Sequence, residues 1–131
     1  SQYNEQYYKR ALRVRTLIRK DFEHAFDKTG KFKLDALLTP STPTTAFPMK
    51  AVYGDSVLMQ YSDQLAVPAN HAGIPGISFP GGLDENGLPI GVQLLGPDFT
   101  ESVLLQLTHA FEKATAGADW RKISPAVLRK A

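Results

Sequence analysis

Apolar residues return every third or fourth position at Tyr7, Ala11, Val14, Ile18, Phe22 and Ala25. That spacing lays them along one face of a helix, with Arg10, Arg13, Lys20 and Asp27 off the stripe. It predicts one long amphipathic helix near residues 3–28. Lys28-Thr-Gly30 follows, and Gly30 is the residue expected to take the left-handed conformation that closes such a helix. Asp35-Ala-Leu-Leu-Thr39 is a short apolar run stopped by Pro40, too short for a helix and suited to a buried strand. From Pro40 to Pro48 three prolines restrict both themselves and the residues before them, which predicts an irregular connection.

Val57, Leu58, Tyr61, Leu65 and Ala69 again fit helical spacing, but Pro68 interrupts the segment and predicts two short helices in place of one. Gly76-Ile-Ser-Phe-Pro80 and Ile90-Gly-Val-Gln-Leu-Leu95 read as strands, and Asp84-Glu-Asn-Gly87 between them supplies a tight turn. Asp98 with Glu101 three residues on resembles a capping box. Val103, Leu104, Leu107, Phe111 and Ala114 then form a second stripe, with Gly117 as the expected stop. The tail from Asp119 carries the only tryptophan and is expected to fold back on the domain. The order predicts an α/β arrangement: a mixed sheet of about three strands (35–39, 76–80, 90–95) with long helices near 3–28 and 99–115.

Length and composition place the 131 residues, 43% of them hydrophobic, as a single unit with a small core. No apolar run approaches the ~20 residues that cross a bilayer, and no signal-peptide core follows Ser1, which argues against secretion and membrane insertion. The absence of cysteine excludes disulfides, thiolate metal sites and cysteine nucleophiles. A net charge of +2 does not by itself imply a nucleic acid. Its distribution is more informative, since no Lys or Arg lies between Ala51 and Glu112, so any carboxylate there lacks a sequence-local cation.

Asp63, His71 and Ser78 supply the residue types of a nucleophilic triad, but Gly76-Ile-Ser-Phe-Pro80 lacks the second glycine of a nucleophile elbow. Ser78 is therefore read as a strand serine and His71 as a helix-end histidine. His24, His71 and His109 show no metal-ligand spacing, so no metal site is expected. Gly82 and Gly87 are followed by Leu88-Pro89, where a phosphate loop needs Lys and then Ser or Thr. Six basic residues from Lys9 to Lys20 form either a solvated helix face or a phosphate-contacting one, and without interleaved aromatics the solvated face is favoured. Asp63 stands apart as a carboxylate within the largely uncharged stretch Val57 to Ala69. Expected to be partly buried, it either caps the helix after Gln64 or awaits a cationic ligand group.

Five segments taken in order resemble the C-terminal part of the amidase-signature family. They are Tyr7 to Phe22, Asp35-Ala-Leu-Leu-Thr-Pro40, Tyr61-Ser-Asp63, Val67-Pro-Ala-Asn-His-Ala-Gly-Ile-Pro-Gly-Ile-Ser-Phe-Pro80 and Leu88-Pro-Ile-Gly-Val-Gln-Leu-Leu-Gly96. The similarity is strongest to the glutamine-dependent, tRNA-linked branch. It implies an amidase-type α/β/α sandwich, of which residues 1–131 are a single C-terminal fragment. The family's serine nucleophile, its second serine and its lysine base sit in a glycine- and serine-rich segment, and no Gly-Gly-Ser-Ser stretch occurs here. The resemblance thus implies no catalytic residue in this chain.

For the parent, the resemblance implies attack on glutamine, an acyl-enzyme and release of ammonia. Partner subunits of the B and C types would use that ammonia, with ATP and magnesium, to amidate Glu-tRNA(Gln) or Asp-tRNA(Asn). No cofactor is expected on this chain, no membrane contact is implied, and the location would be the cytoplasm or an organelle matrix. Asp63 matches the family aspartate that holds the α-ammonium of glutamine, which decides the question its local sequence leaves open. His71 departs from a position commonly apolar in the family. Strands and helix faces made to pair with other segments are expected to make the chain self-associate. The competing readings are a stand-alone amidase of neutral amides and a non-catalytic module binding RNA through Lys9 to Lys20.

Overall fold

In the computed structural model, residues 2–48, 50–51 and 55–124 are described. Helix α1 spans Gln2–Phe26, followed by strand β1 (Leu37–Pro40), helices α2 (Ser56–Ser62) and α3 (Val67–Ala72), and strands β2 (Gly76–Leu83) and β3 (Pro89–Leu95). Helix α4 (Glu101–Ala114) and a 3-10 turn (Asp119–Lys122) complete the order. Strand order is β1-β3-β2, and both pairings are antiparallel. The expected mixed sheet is thus corrected. β3 reverses direction after the hairpin turn and occupies the centre, so β1 and β2 run alike but never touch.

Cross-strand partners share a face, and the register therefore assigns the two sides of the sheet. Ile77 and Phe79 pair with Leu94 and Val92, and this apolar face is covered by α4 through Leu104, which is 2% exposed. Phe111 meets Phe79 with ring centroids 5.2 Å apart. The opposite face carries Thr39, Gln93 and Ser78 in one row. The turn between α2 and α3 lies over that row, since Gln93 Nε2 donates to the Leu65 carbonyl. Helix α1 packs on α3, which makes three layers.

Strand bounds shift for local reasons. β1 starts at Leu37 because Asp35 turns outward to pair with Lys28, while Ala36 joins the core. β2 runs past Pro80 to Leu83 through a register shift between Pro80 and Gly82, which leaves Gly81 as the extra residue of a bulge. A side chain at Gly81 would lie 2.8 Å from Val92 Cγ1, so only glycine fits that bulge. Pro68 sits in the first turn of α3, where it divides the two short helices as its chemistry predicts.

Three expected caps are replaced by other groups. Gly30 is not left-handed, because Asp27 ends α1 by accepting from Thr29 N and Oγ1 at 2.8 and 2.7 Å. The left-handed residue of that connection is Lys33, with φ 54°. Helix α4 stops at Thr115, ahead of Gly117. Asp98 does not cap α4 either. Its carboxylate is taken by Arg19, and Thr100 occupies the cap position. The tail does fold back as far as it is described: the Arg121 guanidinium lies 4.6 Å from the Trp120 ring centroid and 5.8 Å from that of Phe111.

The stripe on α1 divides in two. Phe26 is buried, and Phe22, stacked on it, is half-buried, but Tyr7, Ala11 and Val14 of the stripe stand exposed. An exposed apolar row of this length is a site of association. Light scattering of the chain alone should show a mass that rises with concentration, and Tyr7→Lys with Val14→Lys should suppress the rise. A constant monomer mass would show that the row is tolerated in water. Replacing Leu104 by Ala should cost about 2–5 kcal/mol in urea unfolding, since it empties the centre of the only described core cluster.

Candidate functional site

Gln93 is the organising residue of the polar face. It is 6% exposed, and a buried amide without partners costs free energy, so its surroundings must satisfy it. Its Nε2 donates to Leu65 O at 2.9 Å, Thr39 Oγ1 at 3.0 Å and Pro40 O at 3.3 Å. Thr39 and Pro40 belong to the neighbouring strand, and Leu65 to the turn between α2 and α3. Beyond β1, Ser41 N donates to Gly91 O at 2.9 Å and Ser41 Oγ to Ser78 Oγ at 3.3 Å. The row Thr39, Ser41, Ser78 and Gln93 is therefore one connected polar strip.

Asp63 opens the turn above this strip. Its backbone carbonyl accepts from Ala66 N and Val67 N, both at 3.0 Å. Its side chain is exposed, which corrects the expectation of partial burial. Nor does it cap α3, whose cap position is Ala66 with no side-chain bond. Among the described residues the carboxylate has no hydrogen-bond or ion-pair partner. The cap is thus excluded, and the carboxylate stands in solvent.

His71 and Ser78 are not brought together with it. His71 Nδ1 lies 2.9 Å from Val67 O within its own helix, and Ser78 Oγ is bonded to Ser41. The His71 side chain is exposed, so a polar residue there carries no burial cost. Among the described residues no group of three or more His, Cys, Asp or Glu could hold a metal ion. No described helix is long and apolar enough to cross a membrane.

The basic helix departs from a purely solvated face. Arg15 Nε donates to His71 O at 2.7 Å, and Arg19 Nη1 donates to Ala72 O at 2.9 Å, so two guanidinium groups satisfy the last carbonyls of α3. Gly73, left-handed at φ 71°, closes that end. Arg19 also holds Asp98 and Glu23, and hydrogen bonding to Asp98 raises its guanidinium further above the ordinary value. Sequence spacing does not reveal these roles, because the partners lie more than 50 positions away.

The proline-rich connection is pinned at the hairpin. Asp84 Oδ1 accepts from Asn86 N and Leu88 N, both at 2.8 Å, and Oδ2 from Thr45 Oγ1 at 2.7 Å. Gly87 takes the positive φ the turn requires, 76°.

This three-layered fold is that of an amidase, and the chain belongs to the Amidase family, whose sequence profile matches residues 1–105. Among its relatives is the glutamyl-tRNA(Gln) amidotransferase A subunit of Synechococcus sp. (strain WH7803), 50% identical over 123 residues, 94% of this chain and 24% of that protein. The corresponding protein of Bartonella henselae is 46% identical over 116 residues, covering 87% and 23%. The crystal structure of the glutamyl-tRNA(Gln) amidotransferase A subunit from Thermotoga maritima superposes with a TM-score of 0.74 at 35% identity, over 85% of this chain and 23% of that one. The chain spans about a quarter of the length of these relatives.

Hydrogen bonds from Thr45, then from Leu88 N, hold the Asp84 carboxyl below its ordinary value of 3.8. A folded-state value below the unfolded one adds stability that is present above the unfolded value and lost as pH falls through the folded one. Acid should therefore loosen the connection only below about pH 4, and Thr45→Val should move the Asp84 titration, followed by carboxyl NMR, up toward 3.8. An unmoved titration would remove Thr45 as the cause.

Proposed function

We propose that this chain forms the substrate-pocket portion of the glutaminase subunit of a tRNA-dependent amidotransferase, with Asp63 holding the α-ammonium of glutamine. The observation that carries the reading is the Asp63 carboxylate itself: exposed, without a partner among the described residues, and set on a turn anchored to the sheet. Glutamine offers a cation at one end and the reacting amide at the other. A carboxylate that binds the cation fixes where the amide lies. Attack on that amide belongs to the family's serine and lysine, which we place outside these 131 residues. An acyl-enzyme then forms and ammonia leaves.

Membership in the family and the names of the relatives support the wider reading. The ammonia would serve to amidate Glu-tRNA(Gln) or Asp-tRNA(Asn) in a complex with B- and C-type subunits. ATP and magnesium would be used on those partners, and the setting would be the cytoplasm or an organelle matrix. A stand-alone hydrolase of neutral amides has no ammonium to hold and gives Asp63 nothing to do. The RNA-module reading is weakened, because Arg15 and Arg19 are committed to α3.

In the complete enzyme, Asp63→Asn should raise the glutamine KM by about one to two decades, the worth of one charged hydrogen bond of roughly 1.5–3 kcal/mol. Steady-state glutaminase kinetics measure it. An unchanged KM would remove Asp63 from the substrate site.

A further inference from the structure

We propose that Gln93 is the residue that positions Asp63, an inference that rests on the reading of Asp63 as the ammonium site. The Asp63 side chain has no partner of its own among the described residues, so its place is set by its backbone. That backbone is a turn of four residues, 63–66, closed by the bonds from Ala66 N and Val67 N to Asp63 O. Among the described residues, one hydrogen bond joins this turn to the sheet: Gln93 Nε2 to Leu65 O, at 2.9 Å.

The chemistry of the partners fixes the orientation of the Gln93 amide. Leu65 and Pro40 present carbonyl oxygens, which only accept, so the nitrogen end must face them. Burial makes the arrangement stiff, because the amide cannot exchange these partners for water. Thr39 and Pro40 hold the same nitrogen from the side of β1. The anchor therefore reaches from two strands to a turn that begins with Asp63. Loss of the donor frees the Leu65 carbonyl and, with it, the peptide that aims the carboxylate.

A residue acting through Asp63 affects only ligands that carry the ammonium. The test is steady-state kinetics of the complete enzyme on glutamine and on glutaramate, the same amide without the α-amino group. Gln93→Met keeps length and burial but removes the donor. It should raise the glutamine KM about tenfold with kcat nearly held, and leave kcat/KM for glutaramate within about twofold. Combined with Asp63→Asn, it should add nothing to the loss from Asp63→Asn alone. Gln93→Asn, one methylene too short to reach Leu65, should behave alike and serves if the Met variant does not fold.

Equal losses on both amides, or losses that multiply in the double variant, would overturn the positioning role. If Asp63→Asn discriminates between the amides and neither Gln93 variant does, the role of Gln93 alone fails. If Asp63→Asn itself does not discriminate, the ammonium reading fails, and the positioning role with it.

Discussion

A buried primary amide at the centre of a sheet is a demanding constraint. Gln93 sits on the middle strand with its side chain on the face away from α4, and it is 6% exposed. Leaving its N–H groups unmet would cost about 1–3 kcal/mol. The chain meets them with a threonine hydroxyl and two carbonyls from segments far apart in sequence. Those acceptors can coincide only if β1 lies beside β3 in this register and the turn between α2 and α3 crosses above. One side chain thereby links sheet order, the placement of the short helices and the place of Asp63.

A second polar linkage holds the outer layer. Short helices have carbonyls to satisfy at their ends, and α3 has six residues with which to do it. Arg15 and Arg19 reach from α1 to the last two of those carbonyls, and Arg19 continues to Asp98 beyond β3. The Arg19–Asp98 pair is largely exposed, so as an ion pair alone it adds little. The value of the two arginines lies in direction, because a planar guanidinium with several donors fixes how two helices cross. Only the second half of α1 is so held. The first half extends with its apolar row uncovered, which accords with relatives about four times as long, in which further segments are available to cover it.

Local chemistry was legible where it is self-contained. Pro68 marks the division between α2 and α3, Asp84 to Gly87 marks the hairpin, and the stripes mark both long helices, because each depends on residues a few positions apart. Caps were legible only in part. Gly30 and Gly117 have the right composition, but Asp27 and Thr115 end the helices sooner, and the left-handed residue is a lysine. Asp98 shows the limit most plainly. Its spacing to Glu101 is that of a cap, yet a cation 79 positions away claims it. Gln93 does carry a signal, a lone amide inside Ile90-Gly-Val-Gln-Leu-Leu95, but periodicity cannot say what a polar residue in an apolar strand must reach. Asp63 came from resemblance, and its exposure could not be read from neighbours that are mostly uncharged.

That exposure bears on how the proposed site discriminates. A carboxylate in open water gains at most about 1 kcal/mol from an ammonium, because water competes for both charges. The same pair gains more when neighbouring groups exclude water and lower the effective dielectric. Here the Asp63 side chain is exposed, so in the proposed site this part of the fold would supply the aim of the charge and not its enclosure. Selectivity for an α-amino acid amide would then be divided between two parts of the molecule. In that reading the Gln93-anchored turn would set where the ammonium lies, and whatever covers it would set how strongly that placement is felt.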